Sequence, residues 1–246
     1  MRGGGENLKL LKGFTLAEVL ITLGIIGIVA ALTLPVLNTK IRNKQLESSF
    51  KAAYSLVSQA VINMSADEYD IVGTYCAGAP ESNAEFAKAF SKYFQTIKLF
   101  DGTDYVFNKL GYKKPIEQSG DGHFNFNVDG YNNGAFVTKN GMVIAPSGCW
   151  WTGKTGVDFI VDTNGNKGPN KFGYDVFYFQ INGSNRLVPA NLDEHFFNIV
   201  SEQSVCCDME VKSSTCSSNN GTACSHFALK NQYPNDTTKP YWESLR

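Results

Sequence analysis

The segment Phe14-Thr-Leu-Ala-Glu18-Val-Leu-Ile-Thr-Leu-Gly24-Ile-Ile-Gly27-Ile-Val-Ala-Ala-Leu-Thr-Leu-Pro35-Val-Leu37 carries one ionisable side chain, Glu18, in an otherwise apolar run. A helix crosses a bilayer with about 20 such residues. A cleaved secretory signal has a shorter apolar run, about 7–15 residues, followed by a small-x-small cleavage site. No such site follows here. Nearby charges do not set the orientation, because Arg2, Lys9 and Lys12 on one side are matched by Lys40, Arg42 and Lys44 on the other.

On the C-terminal side, Pro35 lacks a backbone donor and clashes with the preceding turn, which predicts a kink or local melting of the helix. Past it, Leu46, Phe50, Ala53, Val57, Ala60, Val61 and Met64 recur at spacings of three and four. Such a stripe predicts an amphipathic helix with one buried face, continuing to about residue 66. The chain then reads as a basic leader (1–13), a membrane-spanning helix (14–37), its amphipathic continuation (38–66) and a globular head (67–246).

The run Lys12-Gly13-Phe14-Thr15-Leu16-Ala17-Glu18-Val19-Leu20-Ile21, extended through Ala31 and a proline at Pro35, resembles the processing site of type IV pilins and type II secretion pseudopilins. The resemblance implies that a membrane aspartyl peptidase, the prepilin peptidase, cuts after Gly13 on the cytoplasmic side and methylates the new terminus at Phe14. It further implies an α+β, pilin-like lollipop, in which the long helix packs its outer half on an antiparallel sheet head with a disulfide-rich C-terminal region. The expected location is the inner (cytoplasmic) membrane, with a single pass and an extracytoplasmic head, and a filament when assembled. Expected partners are other pilin or pseudopilin subunits, the peptidase and the inner-membrane assembly platform.

Glu18 is the physically demanding residue of this segment. A charge at hydrocarbon depth costs on the order of 2.5–3.5 kcal/mol on insertion scales. Processing would supply a cation, the α-amino group of Phe14, and in a polymer the neighbouring subunit's amine can be offset to meet this carboxylate. The competing reading is a plain signal anchor that tolerates one glutamate near a helix end.

In the head, residues 65–81 are polar and contain Gly and Pro, which marks a connection. Ser82 to Leu99 reads as a second helix, with Ser82 and Glu85 at its start and Phe86, Ala89, Phe90, Tyr93, Phe94 and Ile97 on its buried face. Residues 134–138 and 142–145 around Asn140-Gly141 predict a hairpin with a type I′ turn. Residues 156–161 and 175–181 are two further strand-like runs, and Asn182-Gly183 can turn the second into residues 186–188. A sheet of about four antiparallel strands follows.

Net charge is −1 overall; the first thirteen residues contribute +2 and the remainder −3. That weakly acidic remainder gives no electrostatic basis for broad nucleic-acid binding, so no nucleic-acid partner is expected unless the filament is one for DNA uptake. The even number of cysteines, Cys76, Cys149, Cys206, Cys207, Cys216 and Cys224, beyond an apolar N-terminal segment suggests export and disulfide bonding. Six cysteines allow 15 pairings. Cys76 with Cys149 is favoured, and Cys206 and Cys207 with Cys216 and Cys224 in either order.

The most distinctive head motif is Asp162-Thr-Asn164-Gly-Asn166-Lys-Gly168-Pro-Asn170-Lys-Phe-Gly173-Tyr-Asp175. Oxygen side chains at alternate positions of a Gly-rich turn can converge on a hard cation, which makes Asp162, Asn164, Asn166 and Asp175 candidate calcium ligands. Lys167 at the usual glycine position and the lack of a glutamate at the twelfth exclude a full EF-hand. The segment resembles the calcium-ordered D-x-N-G…G-x-D loop of some pseudopilin-like heads; the metal-free alternative is a tight turn held by side-chain-to-backbone hydrogen bonds. Zinc held by the clustered cysteines with His226 is disfavoured, because no C-x-x-C pair occurs and exported thiols oxidise.

His123, His195 and His226 are scattered, and no nucleophile elbow, zinc-protease or phosphate-loop pattern occurs. An enzyme is therefore not expected. The function that follows is a structural subunit of a type II secretion pseudopilus or related type IV filament. The alternative is a minor tip pilin acting as an adhesin or as a substrate- or DNA-binding module, with Trp150-Trp151 as a candidate adhesive pair.

Overall fold

A computed structural model describes residues 13, 15–76, 82–100, 134–149, 156–189, 207, 221 and 223–245. The chain divides into two compact units, Met1–Arg42 and Asn43–Arg246. The first helix, α1 (Leu16–Asp67), is 52 residues long and contributes to both.

Within the first unit, every described large apolar side chain from Leu16 to Ile41 is exposed. This stretch of α1 is long and apolar enough to cross a membrane, and none of its most apolar 18-residue window is buried. So much contiguous apolar surface needs a covering that the described residues of its own unit do not supply. Its threonines demand no outside partner: Thr22 Oγ1 donates to Val19 O at 2.9 Å and Thr33 Oγ1 to Val29 O at 2.9 Å. The helix runs unbroken through Pro35, so the local melting expected there does not occur. The proline has no N–H to give the helical ladder, and Thr39 Oγ1 reaches back to Pro35 O at 3.1 Å.

The second unit is α+β. Short helices α2 (Ile71–Cys76) and α3 (Ser82–Phe90) precede a six-stranded sheet of β1 (Thr96–Phe100), β2 (Ala135–Thr138), β3 (Val143–Gly148), β4 (Gly156–Asp162), β5 (Val176–Asn182) and β6 (Leu187–Pro189). Helix α4 (Cys224–Lys230) and a 3₁₀ turn (Trp242–Ser244) follow. Each strand pairs antiparallel with the next in sequence, giving a six-stranded meander where about four strands were expected.

The extra edge strand comes from the segment expected to end the second helix. α3 stops at Phe90, and a 3₁₀ turn over Ser91–Tyr93 follows. Ser91 O accepts both Phe94 N–H at 3.2 Å and Thr96 Oγ1 at 2.8 Å, which closes the helical ladder. Thr96 to Phe100 then pairs with β2. Ile97, expected on the buried helix face, is 66% exposed. The Ser82 side chain lies outside the described residues.

Both hairpins around Asn-Gly use three-residue loops rather than type I′ turns. Thr138 N–H bonds Met142 O at 2.9 Å, and only Gly141 of the loop has positive φ, 87°. A type I′ turn needs two such residues; one glycine in the left-handed region after a type I turn closes a three-residue loop. In the second hairpin Asn182 N–H bonds Arg186 O at 3.0 Å, and Asn185, with φ 54°, takes the left-handed position.

The core forms where the α1 stripe meets one sheet face. Leu46, Phe50, Ala53, Val57, Ala60, Val61 and Met64 are all buried, with Phe159, Phe177, Phe179 and Trp242 in the same cluster. Phe50 lies 4.4 Å from the Phe177 ring and 5.2 Å from Trp242. Truncating such a buried phenylalanine to alanine costs about 3–5 kcal/mol. Asn43 is buried beside this seam, and its Nδ2 donates to Leu245 O at 2.8 Å, tying the C-terminal segment to the helix.

Candidate functional site

Two places carry chemistry beyond packing, and each is considered within its own unit. At the start of α1, Thr15 and Glu18 form a reciprocal cap. Thr15 N–H and Thr15 Oγ1 each donate to Glu18 Oε2 at 2.8 Å, and Glu18 N–H donates to Thr15 Oγ1 at 3.2 Å. This is a capping box, which satisfies otherwise orphaned donors at a helix start. The T-x-x-E spacing ahead of an apolar run was its signal, and the sequence reading passed over it. Gly13 is exposed with nothing within 4 Å of where a Cβ would sit. Phe14 and the leader lie outside the described residues.

The second place is the β4–β5 loop. Asp162 ends β4 opposite Val176, and Thr163 N–H bonds Asp175 O at 2.8 Å, so the ladder brings both aspartates to the loop's base. Asp162 Oδ1 accepts Asn164 N–H at 3.1 Å and Gly165 N–H at 2.7 Å. Asp175 accepts Asn170 N–H at 2.8 Å on Oδ2 and Lys171 N–H at 2.8 Å on Oδ1. Asn170, fully buried with φ 54°, bridges the pair, because its Nδ2 also reaches Asp162 Oδ2 at 3.5 Å and Gly165 O at 3.1 Å.

Burial, followed by the charge of Asp175, pushes the Asp162 carboxyl up to about 7, against the pull of two backbone N–H groups. Burial likewise raises Asp175, opposed by the N–H groups of Lys171 and Asn170 and by the Asn164 side chain. Two amide oxygens nearby, Asn164 Oδ1 and Asn170 Oδ1, are buried and accept no hydrogen bond. Carboxylate, amide and carbonyl oxygens, the last from Gly165 and Gly168, are the ligand types a hard cation takes, and here amide nitrogens of Asn164 and Asn170 lie among them. Among the described residues no three of His, Cys, Asp and Glu converge. Side chains would thus supply only two charges, which goes with weak affinity.

The fold brings together Asp162, Asn164 and Asp175 of the candidate ligands, while the Asn166 side chain lies outside the described residues. Asn170 was missed although it continues the even-numbered register of Asp162, Asn164 and Asn166: it follows a Gly-Pro pair, and spacing alone does not signal its left-handed backbone, φ 54°. Cys76 is joined to Cys149 and Cys207 to Cys224. Cys206 and Cys216, the Trp150-Trp151 pair, His123 and His195 lie outside the described residues. His226 is partly buried on α4 and packs edge-on against Phe227 at 5.4 Å.

Comparison with family models, curated proteins and solved structures gave no match to this chain.

Proposed function

We propose that the chain is a prepilin-like structural subunit of a type II secretion pseudopilus or related type IV filament. In this reading it is anchored in the cytoplasmic membrane by the first half of α1, with the head outside. The carrying observation is the Gly13–Phe14 junction directly ahead of an apolar segment whose one carboxylate, Glu18, is held locally and whose described large apolar side chains are exposed. A lollipop shape, the peptidase, the assembly platform and neighbouring subunits belong to the same proposal. Intact-mass spectrometry tests it. The mature wild-type chain should lack residues 1–13 and carry one N-terminal methyl group, whereas Gly13→Leu should keep a mass near 27.0 kDa. A Gly13→Leu chain processed normally would refute the reading.

A second reading concerns the head alone: the Asp162–Asp175 loop binds a hard divalent cation, calcium first. Its support is the pair of buried, unpartnered amide oxygens beside two buried carboxylates. When bound, the cation would balance the carboxylate charges and tie β4 to β5, with Asp162, Asp175, Asn164 and Asn170 holding it. Calorimetric titration of calcium into chelated protein tests this reading. A dissociation constant in the range of about 0.1–1 mM is expected, and the absence of binding heat at millimolar calcium would refute it.

A further inference from the structure

The orientation of Asn170 is the unusual feature of this loop. Its nitrogen is directed at acceptors, Asp162 Oδ2 at 3.5 Å and Gly165 O at 3.1 Å, while its oxygen is buried and idle. Asn164 repeats the pattern, donating Nδ2 to Gly168 O at 3.2 Å with its Oδ1 unpartnered. An amide N–H carries a partial positive charge, and here it faces a carboxylate oxygen and a carbonyl, a cluster that would otherwise repel itself. The Asn170 oxygen packs against Gly168, which has φ 66° and no side chain; a Cβ there would lie only 3.2 Å from Oδ1. A side chain at position 168 would jam the amide.

We propose that Asn170 is a built-in stand-in for the cation, its amide nitrogen filling the oxygen cluster until a divalent cation displaces it and turns its Oδ1 inward as a ligand. This rests on the cation reading above and adds a residue and an exchange to it. The swap is conservative in atoms. Two weak N–H···O contacts are given up, one metal–oxygen contact forms, and the buried Oδ1 acquires the partner it lacks. The asparagine's backbone N–H, on Asp175 Oδ2 at 2.8 Å, anchors the residue whose amide turns.

The test uses the full-length chain in detergent micelles, with calcium as the probe and a chelator as the reference. Asn170→Asp replaces the donating nitrogen by a third acidic oxygen at a backbone position that aspartate also tolerates. Calcium should bind the variant at least tenfold more tightly than wild type, and the chelated variant should melt several degrees lower. Equal calcium affinity in both proteins overturns the stand-in role while leaving the cation reading intact. Calcium binding to neither protein overturns both. A variant-free measurement backs this up in wild-type protein labelled with ¹⁵N at asparagine. The Asn170 side-chain amide protons should be protected from exchange under chelator and should shift and lose protection with calcium. An Asn170 side-chain signal unmoved by saturating calcium overturns the proposal.

Discussion

Thr15 and Glu18 hold each other: the threonine's hydroxyl and backbone N–H both donate to one carboxylate oxygen at 2.8 Å, and the hydroxyl accepts the glutamate's own N–H. The lone carboxylate of the apolar segment is thereby supplied with donors from its own helix start. This bears on the cost of placing it in hydrocarbon, which local hydrogen bonds reduce. Thr15→Val should remove the hydroxyl's share of the cap, about 1 kcal/mol, and Thr15→Ser should retain it. Hydrogen exchange at the first-turn amides in micelles would read the difference, and identical protection in all three proteins would count against the cap. Under the filament reading, Glu18→Ala should still be cleaved after Gly13 but fail to enter filaments.

The fully buried Asp158 gives a pH prediction. Its Oδ1 accepts Gln180 Nε2 at 3.1 Å, Oδ2 has no partner, and burial holds the carboxyl well above its ordinary range. For an acid whose folded pKa is raised, the contribution to stability is complete below the unfolded pKa, about 3.9 for aspartate. It is lost as pH rises through the folded value. Asp158→Asn, which keeps the shape and the Gln180 bond, should therefore match wild type near pH 4 and exceed it in stability at pH 8. Urea midpoints across that range would show the gap opening with pH. A gap independent of pH would mean that the carboxyl titrates in the folded protein as it does in the unfolded chain, so that burial does not raise it.

The second half of α1 and most of the sheet were legible because their signals are local. The spacings of Leu46, Phe50, Ala53, Val57, Ala60, Val61 and Met64 fit one helical face, and that face is buried. The strand-like runs around Phe136, Ile144, Phe159 and Phe177 are rich in β-branched and aromatic residues and pair as neighbours. What escaped depends on distant partners or on single backbone angles. Residues 94–97 continue a helical apolar spacing by coincidence, and the strand is decided by β2, some 40 residues on, which offers Thr96 to Phe100 a ladder. Gly183 looked like the turn residue, yet the positive φ falls on Asn185. Asn170 entered the candidate cation site by the same route, through a left-handed backbone angle that spacing does not signal.

The disulfides should differ in weight. Cys76–Cys149 spans 73 residues of sequence and Cys207–Cys224 spans 17. In the chain-entropy model such crosslinks contribute about 4 and about 3 kcal/mol respectively. Double alanine replacement of the first pair should therefore lower the unfolding free energy more than replacement of the second. Denaturant melts of the two double variants would decide. A larger loss from the short crosslink would show that the native contacts around it, rather than loop closure, set its value.

Asn185 supplies a last prediction, because it does two separable things. Its side chain fastens the end of α1 to α2: Nδ2 donates to Tyr69 O at 2.9 Å and Glu68 O at 3.4 Å, and Oδ1 accepts Ile71 N–H at 3.2 Å. Its backbone meanwhile sits at φ 54° to close the β5–β6 hairpin. Asn185→Gly keeps the left-handed turn and deletes the side-chain bonds, which should cost about 0.5–1.5 kcal/mol, since Tyr69 is exposed and water can replace its bond. Asn185→Ala deletes the same bonds and adds left-handed strain of roughly 1 kcal/mol. The order of stability should be wild type, then Asn185→Gly, then Asn185→Ala, with equal denaturant slopes if the fold is retained. If glycine matched wild type, the side-chain bonds would be idle and the hairpin angle alone would explain an asparagine here. If alanine matched glycine, the turn would have relaxed, and the side-chain bonds to the helix end would be its whole contribution.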